Sequence, residues 1–474
     1  MPDTIYVTTS IPYVNASPHI GHAFELVQAD AIARYHRLLG ERVILQTGTD
    51  ENAHKNVIAA RQAGMSVLEL VQRNAGRFRE LVRELDVSAD SFIRTTEERH
   101  RTGVELLWRR LRPDDLYRQA YGGLYCQGCE DFLTEGELSG GKCPDHQIEP
   151  EPVSETNWFF RLSRYQRELE DLLEGRSLRV VPDARRSEVL AFVRSGLRDI
   201  SVSRDAGRMA GWGIPVPGDA SQTIYVWIDA LMNYVTGLRA PPSRGWEAIW
   251  NRETRKVHVV GKNVWKFHAV YWPALLLSAG LPPPDEILVH GFLTVNGRKI
   301  SKSLGNAVDP FAAAARRGAE SLRHYLLAQS PFADGDYSEA AHDRIHESRL
   351  SSGLGNLLTR LTALGESAAP EGLRLRPDLP PPERYADAMR SYRFDWALQA
   401  LWDEIRAINA ALDAARPWKD PAAARALIRG WGERLSGVAH WLGPFMPGTS
   451  ERILSSLAAR PLRKSAPLFP RIGG

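Results

Sequence analysis

Cysteine is scarce in this chain, with three in 474 residues, and lysine supplies only nine of the 60 basic side chains, so arginine carries almost all the positive charge. No apolar run reaches the roughly 20 residues that a membrane-spanning helix needs. The N-terminal MPDTIYVTTSIPYVN lacks a basic segment followed by an apolar stretch. Neither a secretory leader nor a membrane anchor is indicated, and the cytoplasm is the expected compartment. Charge of one sign is not in large excess either. A net charge of +3 permits an anionic partner without demanding one. What is present is a balance of 43% hydrophobic and 25% charged residues, the composition of a globular protein. At 53.0 kDa the chain is too long for a single core, and two to four domains are expected.

The opening reads as strand, loop and helix. TIYVTTSIP is β-rich, NASPHIGH carries turn residues, and AFELVQADAIARYHRLL has apolar positions at helical spacing. The strand-like RVILQTGTD follows, completing a βαβ unit whose parallel sheet binds ligands beyond the carboxyl ends of its strands. From about residue 114 to about 222 the pattern breaks into short segments rich in Gly, Pro and Cys, which predicts an insertion. The βα pattern resumes at TIYVWIDALMNYV, KVHVVG, NVWKFHAVYWPALLLSAG and EILVHG, so the nucleotide-binding fold is expected to be split. Beyond 310 the periodicity is almost wholly helical, with Pro-rich joints, as in a bundle.

All three cysteines fall in YCQGCEDFLTEGELSGGKCPDH: Cys126, Cys129 and Cys143, with His146 three positions after the last. This C-x2-C-x13-C-x2-H set offers three thiolates and an imidazole, the closed tetrahedral donor set that structural zinc prefers. A disulfide with a spare thiol and plain burial are the rival readings, the former unusual in a cytoplasmic chain. Four protein ligands leave no open position on the metal, which places catalysis elsewhere.

Two signatures point to phosphate chemistry. His19 and His22, flanking Ile20 and Gly21, share one face of a helix start, where the N-terminus favours anions. Imidazole donors there suit charge developing on a triphosphate. Lys299 and Lys302 stand in GRKISKSLGN, just after the strand EILVHGFLTV, where ammonium groups on a Ser/Gly-rich loop suit departing phosphates. The bland alternatives are histidines that only pack the helix start and lysines on a solvated loop.

With both signatures bracketing one split sheet, the chain resembles the class I aminoacyl-tRNA synthetases, KISKS being a variant of their KMSKS loop. Within them it is similar to the methionyl-tRNA synthetases of single-zinc-knuckle type, through IPYVNASPHIGH, TGTDEN, IYVWIDALMNY and GKNVWKFHAVYWPALL. The likeness covers nearly the whole chain. It implies an α/β architecture, a split Rossmann-type nucleotide-binding fold with a zinc-bearing inserted domain and a C-terminal α-helical bundle. The expected divisions are 1–113 and 223–290 for the two Rossmann halves and 114–222 for the inserted domain. Residues 291–347 are expected to hold the KISKS loop and stem-contact region, and 348–474 the anticodon-binding bundle.

Site residues follow from the same resemblance. The methionine pocket comprises Ile11, Tyr13, Trp227, Ala230, Leu231, Tyr234, Val264, Phe267 and His268, with Asp50 holding the α-ammonium group. ATP contacts fall to His19, Gly21, His22, Gly261, Asn263, Lys299, Ser301 and Lys302, and Arg204 is placed near the reacting phosphate. Asn356, Arg360 and Trp418 match anticodon readers. The chain departs from the family at Glu51, Asn52 and Ala53, where His and Gly commonly follow the aspartate, and at Asn263, where an aspartate is often found. The implied activity is ATP-dependent formation of methionyl-adenylate, with Mg2+, and transfer to tRNA(Met) by a monomer. A duplicated synthetase-like enzyme serving another acceptor and a catalytically silent RNA-binding paralogue are the rival readings.

Overall fold

The computed structural model describes residues 4–126, 131–144, 147–238, 245–300, 306–369, 371, 373, 380–419 and 421–471. The chain divides into two compact units. The first joins Met1–Ser17, Arg42–Glu80 and Ala89–Val289, and the second joins Pro18–Glu41, Leu81–Ser88 and His290–Gly474.

The first unit is built on a six-stranded sheet. Its strands are β1 (Thr4–Thr9), β2 (Arg42–Thr49), β3 (Ser91–Arg94), β4 (Arg179–Val181), β5 (Thr254–Gly261) and β6 (Glu286–His290), in the spatial order β3-β2-β1-β5-β6-β4. β1 pairs in parallel with β2 from Thr4 opposite Arg42 to Thr8 opposite Gln46, and with β5 from Thr4 opposite Thr254 to Thr9 opposite Val259. β2 with β3 and β6 with β4 are parallel too. Residues 5–9 of β1 are all buried, as in a parallel strand covered on both faces, and no in/out alternation results.

The stretch 114–222 does two things. Leu116–Cys126 and Glu151–Phe160 pair antiparallel over ten residues, flanked by Asp131–Leu133 and Ile200–Ser201 in a four-stranded sheet. The same stretch also supplies β4 to the edge of the parallel sheet, a strand of three residues too short to register as a period. A second difference concerns TIYVWIDALMNYV, where the pattern predicts another strand of the βα series. Asp219–Ile224 is instead the middle strand of an antiparallel sheet between Pro215–Val216 and Ser203–Asp205, and a helix, Val226–Leu231, starts directly after it. Residues 220 and 221 are exposed, which a central parallel strand does not tolerate.

The second unit is mostly helical. The helix Ile20–Leu38 buries Phe24, Val27, Ala31, Ile32 and Tyr35 along one stripe. In Asn356–Ala368 the buried positions Leu357, Leu358, Leu361, Thr362 and Gly365 define an inner face, and a Cβ on Gly365 would lie 2.3 Å from Leu462 Cδ2. Long helices Phe394–Ala415 and Pro421–Leu442 and the shorter Glu383–Arg390 and Pro447–Ala458 complete the C-terminal part.

A charged knot joins distant segments of this unit. Arg323 and Asp30 are both fully buried, 2.7 Å apart. Arg323 also donates to the carbonyls of Phe445, Leu85 and Pro444 at 2.8, 2.9 and 3.0 Å. Asp30 further accepts from Arg34 Nε at 2.8 Å and from the Ser88 amide and hydroxyl at 2.8 and 2.6 Å. Burial alone would raise the Asp30 pKa, but Arg323, Arg34 and Ser88 overcome it and hold the carboxyl below its ordinary value. Among the described residues no helix is long and apolar enough to cross a membrane.

Candidate active site

In the first unit the predicted pocket residues gather around the helix Val226–Leu231. Trp227 and Phe267 stack at 4.0 Å with planes 9° apart, and Tyr13 meets Trp227 edge-on at 5.9 Å. Ala230, Leu231, Val264 and Phe267 are buried, and Ile11 and Tyr13 are half-buried. Tyr234 and His268, both buried, form a polar pair within this apolar set: Tyr234 Oη and His268 Nε2 are 2.6 Å apart. His268 Nδ1 lies 2.8 Å from the Val264 carbonyl, which can only accept, so the imidazole carries its proton on Nδ1. Nε2 therefore accepts, and the Tyr234 hydroxyl donates to it. The arrangement combines stacked polarisable walls with one oriented hydroxyl, suited to a thioether.

Behind the pair sits His258, which the sequence reading passed over. Its ring stacks on Tyr234 at 4.1 Å, and Nδ1 meets Thr8 Oγ1 at 2.7 Å. Burial, then the neighbouring His268 and Lys256, push its pKa well below the ordinary imidazole value, so it is neutral packing for the tyrosine.

Asp50 lies just past β2, 1% exposed. Its backbone forms a parallel bridge with Tyr13, receives the Val14 amide at 3.3 Å and donates to the Pro12 carbonyl at 2.9 Å. The loop beyond it is held on several sides. Glu51 is buried against Arg94 Nε and Nη2 at 2.6 and 3.0 Å and against Thr49 at 2.9 Å, and its carbonyl accepts from Trp212 Nε1 at 2.8 Å. The Asn52 amide donates to Asp50 Oδ1 at 3.2 Å, and its side chain donates to the buried Asp229. Glu51 and Asn52 are therefore built into the loop. No signal in the sequence marked Asp229 or its partner His100.

Arg204 is 3% exposed and not a surface arginine. Its guanidinium lies 3.8 Å over the Tyr225 ring, and Nη1 donates to Ser201 Oγ and the Ser203 carbonyl at 2.9 and 2.8 Å. Gly261 closes β5, and Asn263 in the turn after it is exposed.

In the second unit His19 is the N-cap of the helix Ile20–Leu38, and the two histidines form a reciprocal cap. His19 Nδ1 accepts the Gly21 amide at 3.1 Å, while His22 Nδ1 accepts the His19 amide at 3.0 Å. Their rings stack at 3.9 Å. Because both Nδ1 atoms accept, the ring proton of each neutral imidazole sits on Nε2, giving two N–H donors at one helix N-terminus. A Cβ at Gly21 would lie 3.0 Å from His19 Cε1, so glycine gives that ring its place. Lys299 enters through the strand Arg298–Lys299, paired with Leu293–Val295. Its side chain, with Ser301 and Lys302, lies outside the described residues.

This arrangement has relatives. The family model described as tRNA synthetases class I (M) matches residues 5–152 and 147–362. A methionine–tRNA ligase of Brucella melitensis is 37% identical over 483 residues, covering 96% of this chain and 92% of its own length. One from Thermotoga maritima is 38% identical over 474 residues, covering 94% of this chain and 74% of its own. The crystal structure of Mycobacterium tuberculosis methionyl-tRNA synthetase bound by methionyl-adenylate superposes with a TM-score of 0.90 at 33% identity, covering 98% of this chain and 100% of that one. The chain belongs to the class I (M) tRNA synthetases.

For a member of that family, the C-terminal helices carry two of the three predicted readers on one helix. Asn356 is exposed and Arg360, one turn on, pairs with Asp413 at the end of Phe394–Ala415. Trp418 follows in the short turn Pro417–Lys419 and is 52% exposed, so it is not part of the core. A second exposed tryptophan, Trp396, carries the Arg393 guanidinium 3.5 Å over its ring. Periodicity gave no sign of it, because a single exposed aromatic does not alter a helical pattern.

Of the four predicted zinc ligands, Cys126 and Cys143 are buried, and Cys129 and His146 lie outside the described residues. Among the described residues no group of three or more His, Cys, Asp or Glu is placed to hold a metal. Around Cys143 the chain turns tightly, the Gln147 amide donating to the Cys143 carbonyl at 2.8 Å and the Cys143 amide to Ile148 at 2.9 Å. Gly140 and Gly141 precede it at φ of 59° and 76°, a turn that side chains with a Cβ disfavour.

Proposed function

We propose that this chain activates L-methionine with ATP and transfers it to tRNA(Met). The observation that carries the reading is the pocket of the first unit, where the Trp227–Phe267 stack and the oriented Tyr234–His268 pair offer a thioether both polarisable walls and one polar check. Asp50 takes the α-ammonium group by charge pairing. The methionine carboxylate attacks the α-phosphorus of ATP in line. The new bond joins carboxylate oxygen to phosphorus, the bond to the bridging oxygen breaks, and pyrophosphate leaves with its electron pair.

No covalent enzyme intermediate is needed, so the protein contributes positioning and charge stabilisation. The Nε2–H groups of His19 and His22 donate to phosphate oxygens, with Gly21, Gly261 and Asn263 along the nucleotide. Lys299, Ser301 and Lys302 serve the departing phosphates, and Arg204 adds positive charge near the reaction. Magnesium bound with ATP would neutralise phosphate charge. In the second step a ribose hydroxyl of the terminal adenosine attacks the methionyl carbonyl, the anhydride C–O bond breaks, and AMP leaves. Asn356, Arg360 and Trp418 select the tRNA, by hydrogen bonds to base edges and by stacking.

The cysteine cluster suits a structural zinc: the Cys126 and Cys143 thiols are buried, Cys126 at the end of the strand Leu116–Cys126, and the tight turn at Cys143 matches a ligand knuckle. Cys126, Cys129, Cys143 and His146 would hold the ion, which would brace this part of the fold and supply no catalysis. The protein is read as a cytoplasmic monomer. Methionine-dependent exchange of labelled pyrophosphate into ATP, followed by charging of tRNA(Met), tests the whole. No exchange sinks the reading, and exchange without charging points to another acceptor.

A further inference from the structure

Asp229 lies on the helix that also carries Trp227, and its side chain is fully buried. Oδ2 accepts from Asn52 Nδ2 at 2.6 Å, and Oδ1 lies 2.5 Å from His100 Nε2. A carboxylate facing both imidazole and amide requires both to donate. Asn52 Nδ2 also meets the Thr95 carbonyl at 3.3 Å, so its two neighbours are acceptors and its amide orientation is fixed. His100 is itself fully buried and held at the far side by Thr236 Oγ1, 2.6 Å from Nδ1. The backbone amide of the same Asn52 donates to Asp50 Oδ1. A continuous chain of hydrogen bonds therefore runs from Thr236 through His100, Asp229 and Asn52 to Asp50.

Such a buried polar chain is costly unless every member is satisfied, and every member named is. Two of its members are informative. One is the carboxylate read above as the ammonium anchor, and the other is a side chain of the helix that bears the aromatic wall. The link spans the two parts of a single ligand site within the first unit, its ammonium end and its thioether end.

We propose that Asn52, Asp229 and His100 form a positioning relay that fixes Asp50 at a set distance from the Trp227 wall, and that this sets the preference for ligands bearing an α-ammonium group. The inference rests on Asp50 being the ammonium anchor. None of the three relay residues touches substrate. Loss of the relay removes one hold on the Asp50 carboxylate while leaving the apolar wall in place, so it weakens chiefly ligands that need the carboxylate.

The test compares methionine with 4-(methylthio)butanoate, the same molecule without its amino group, on the full-length protein by calorimetric titration and by pyrophosphate exchange. Asn52→Ala, Asp229→Asn and His100→Leu are expected to raise the dissociation constant and KM for methionine about tenfold or more, a change of about 1.4 kcal/mol per tenfold. Binding of the des-amino compound and the KM for ATP should stay within about twofold. His100→Gln, which restores a donor toward Asp229, should recover part of the loss. A purely structural role is shown if both ligands weaken together, and no role if neither does; either result overturns the relay. Should a relay variant fail to fold, Asn52→Ser keeps the backbone donor and removes the side-chain link. Asp50→Asn is the control for the underlying reading: if it leaves methionine binding unchanged, the anchor assignment fails, whatever the relay variants do.

Discussion

Asp30 of the second unit and Asp229 of the first are both fully buried aspartates, and their partners differ in kind. Asp30 is answered by two guanidinium groups and a serine, and Arg323 itself also donates to three backbone carbonyls. Asp229 is answered by one imidazole and one amide. The first set ties four chain segments together with permanent charge, as a scaffold requires. The second uses weaker, directional donors next to a ligand site, where precise orientation counts for more than strength. Buried charge alone thus does not mark a functional site, whereas the type of partner and what lies one bond further do.

The sharpest way to break the comparison is Arg323→Leu, which leaves Asp30 buried without its main partner. Unfolding in urea should show a loss of about 3–5 kcal/mol, largely recovered when Asp30→Leu is added. A single-variant cost under about 1 kcal/mol would remove the scaffold role. Acid provides the next effect. His258 in the first unit is held well below its ordinary pKa by burial; in the second unit burial and then Arg349 take His324 to about 3, and burial, against the opposing pull of Asp343, takes His342 to about 4. These imidazoles stay neutral when folded and bind protons when unfolded, so the stability they support is complete above about pH 6.5 and falls as pH drops below it. The slope approaches about 1.4 kcal/mol per pH unit for each histidine. Urea midpoints between pH 7 and 5 should therefore decline, and His324→Leu should flatten the curve.

Function provides two smaller tests. Trp418→Ala should weaken tRNA(Met) by about 1–3 kcal/mol, the usual worth of base stacking, read as a higher KM in charging with pyrophosphate exchange intact. Tyr234→Phe keeps the ring and deletes the hydroxyl. It should cost methionine about 0.5–1.5 kcal/mol in kcat/KM and leave ATP unaffected. An unchanged kcat/KM there would mean that the aromatic walls select the thioether unaided.

The sheet was legible where strands carry a dense buried apolar stretch. β1, β2, β5 and β6 stand where the pattern predicts strands, because parallel strands buried on both faces leave a dense apolar run. β4 was not, since RVV is too short to show any period and its place depends on a pairing more than 100 residues away. Trp227, Phe267, Tyr234 and His268 come together as the motif resemblance implied. The contacts of Asn52, Asp229, His100 and His258 did not show, because a buried polar residue is known by its partner, and partners separated by 129, 177 or 250 positions leave no local pattern.

The reciprocal cap of His19 and His22 has a consequence for how this sequence can change over generations. Each histidine holds a backbone amide at the helix start while carrying a donor proton, so one codon change opens a helix start and removes the proposed phosphate donor in the same step. A substitute must cap and donate at once, which leaves drift through half-working intermediates closed from two sides.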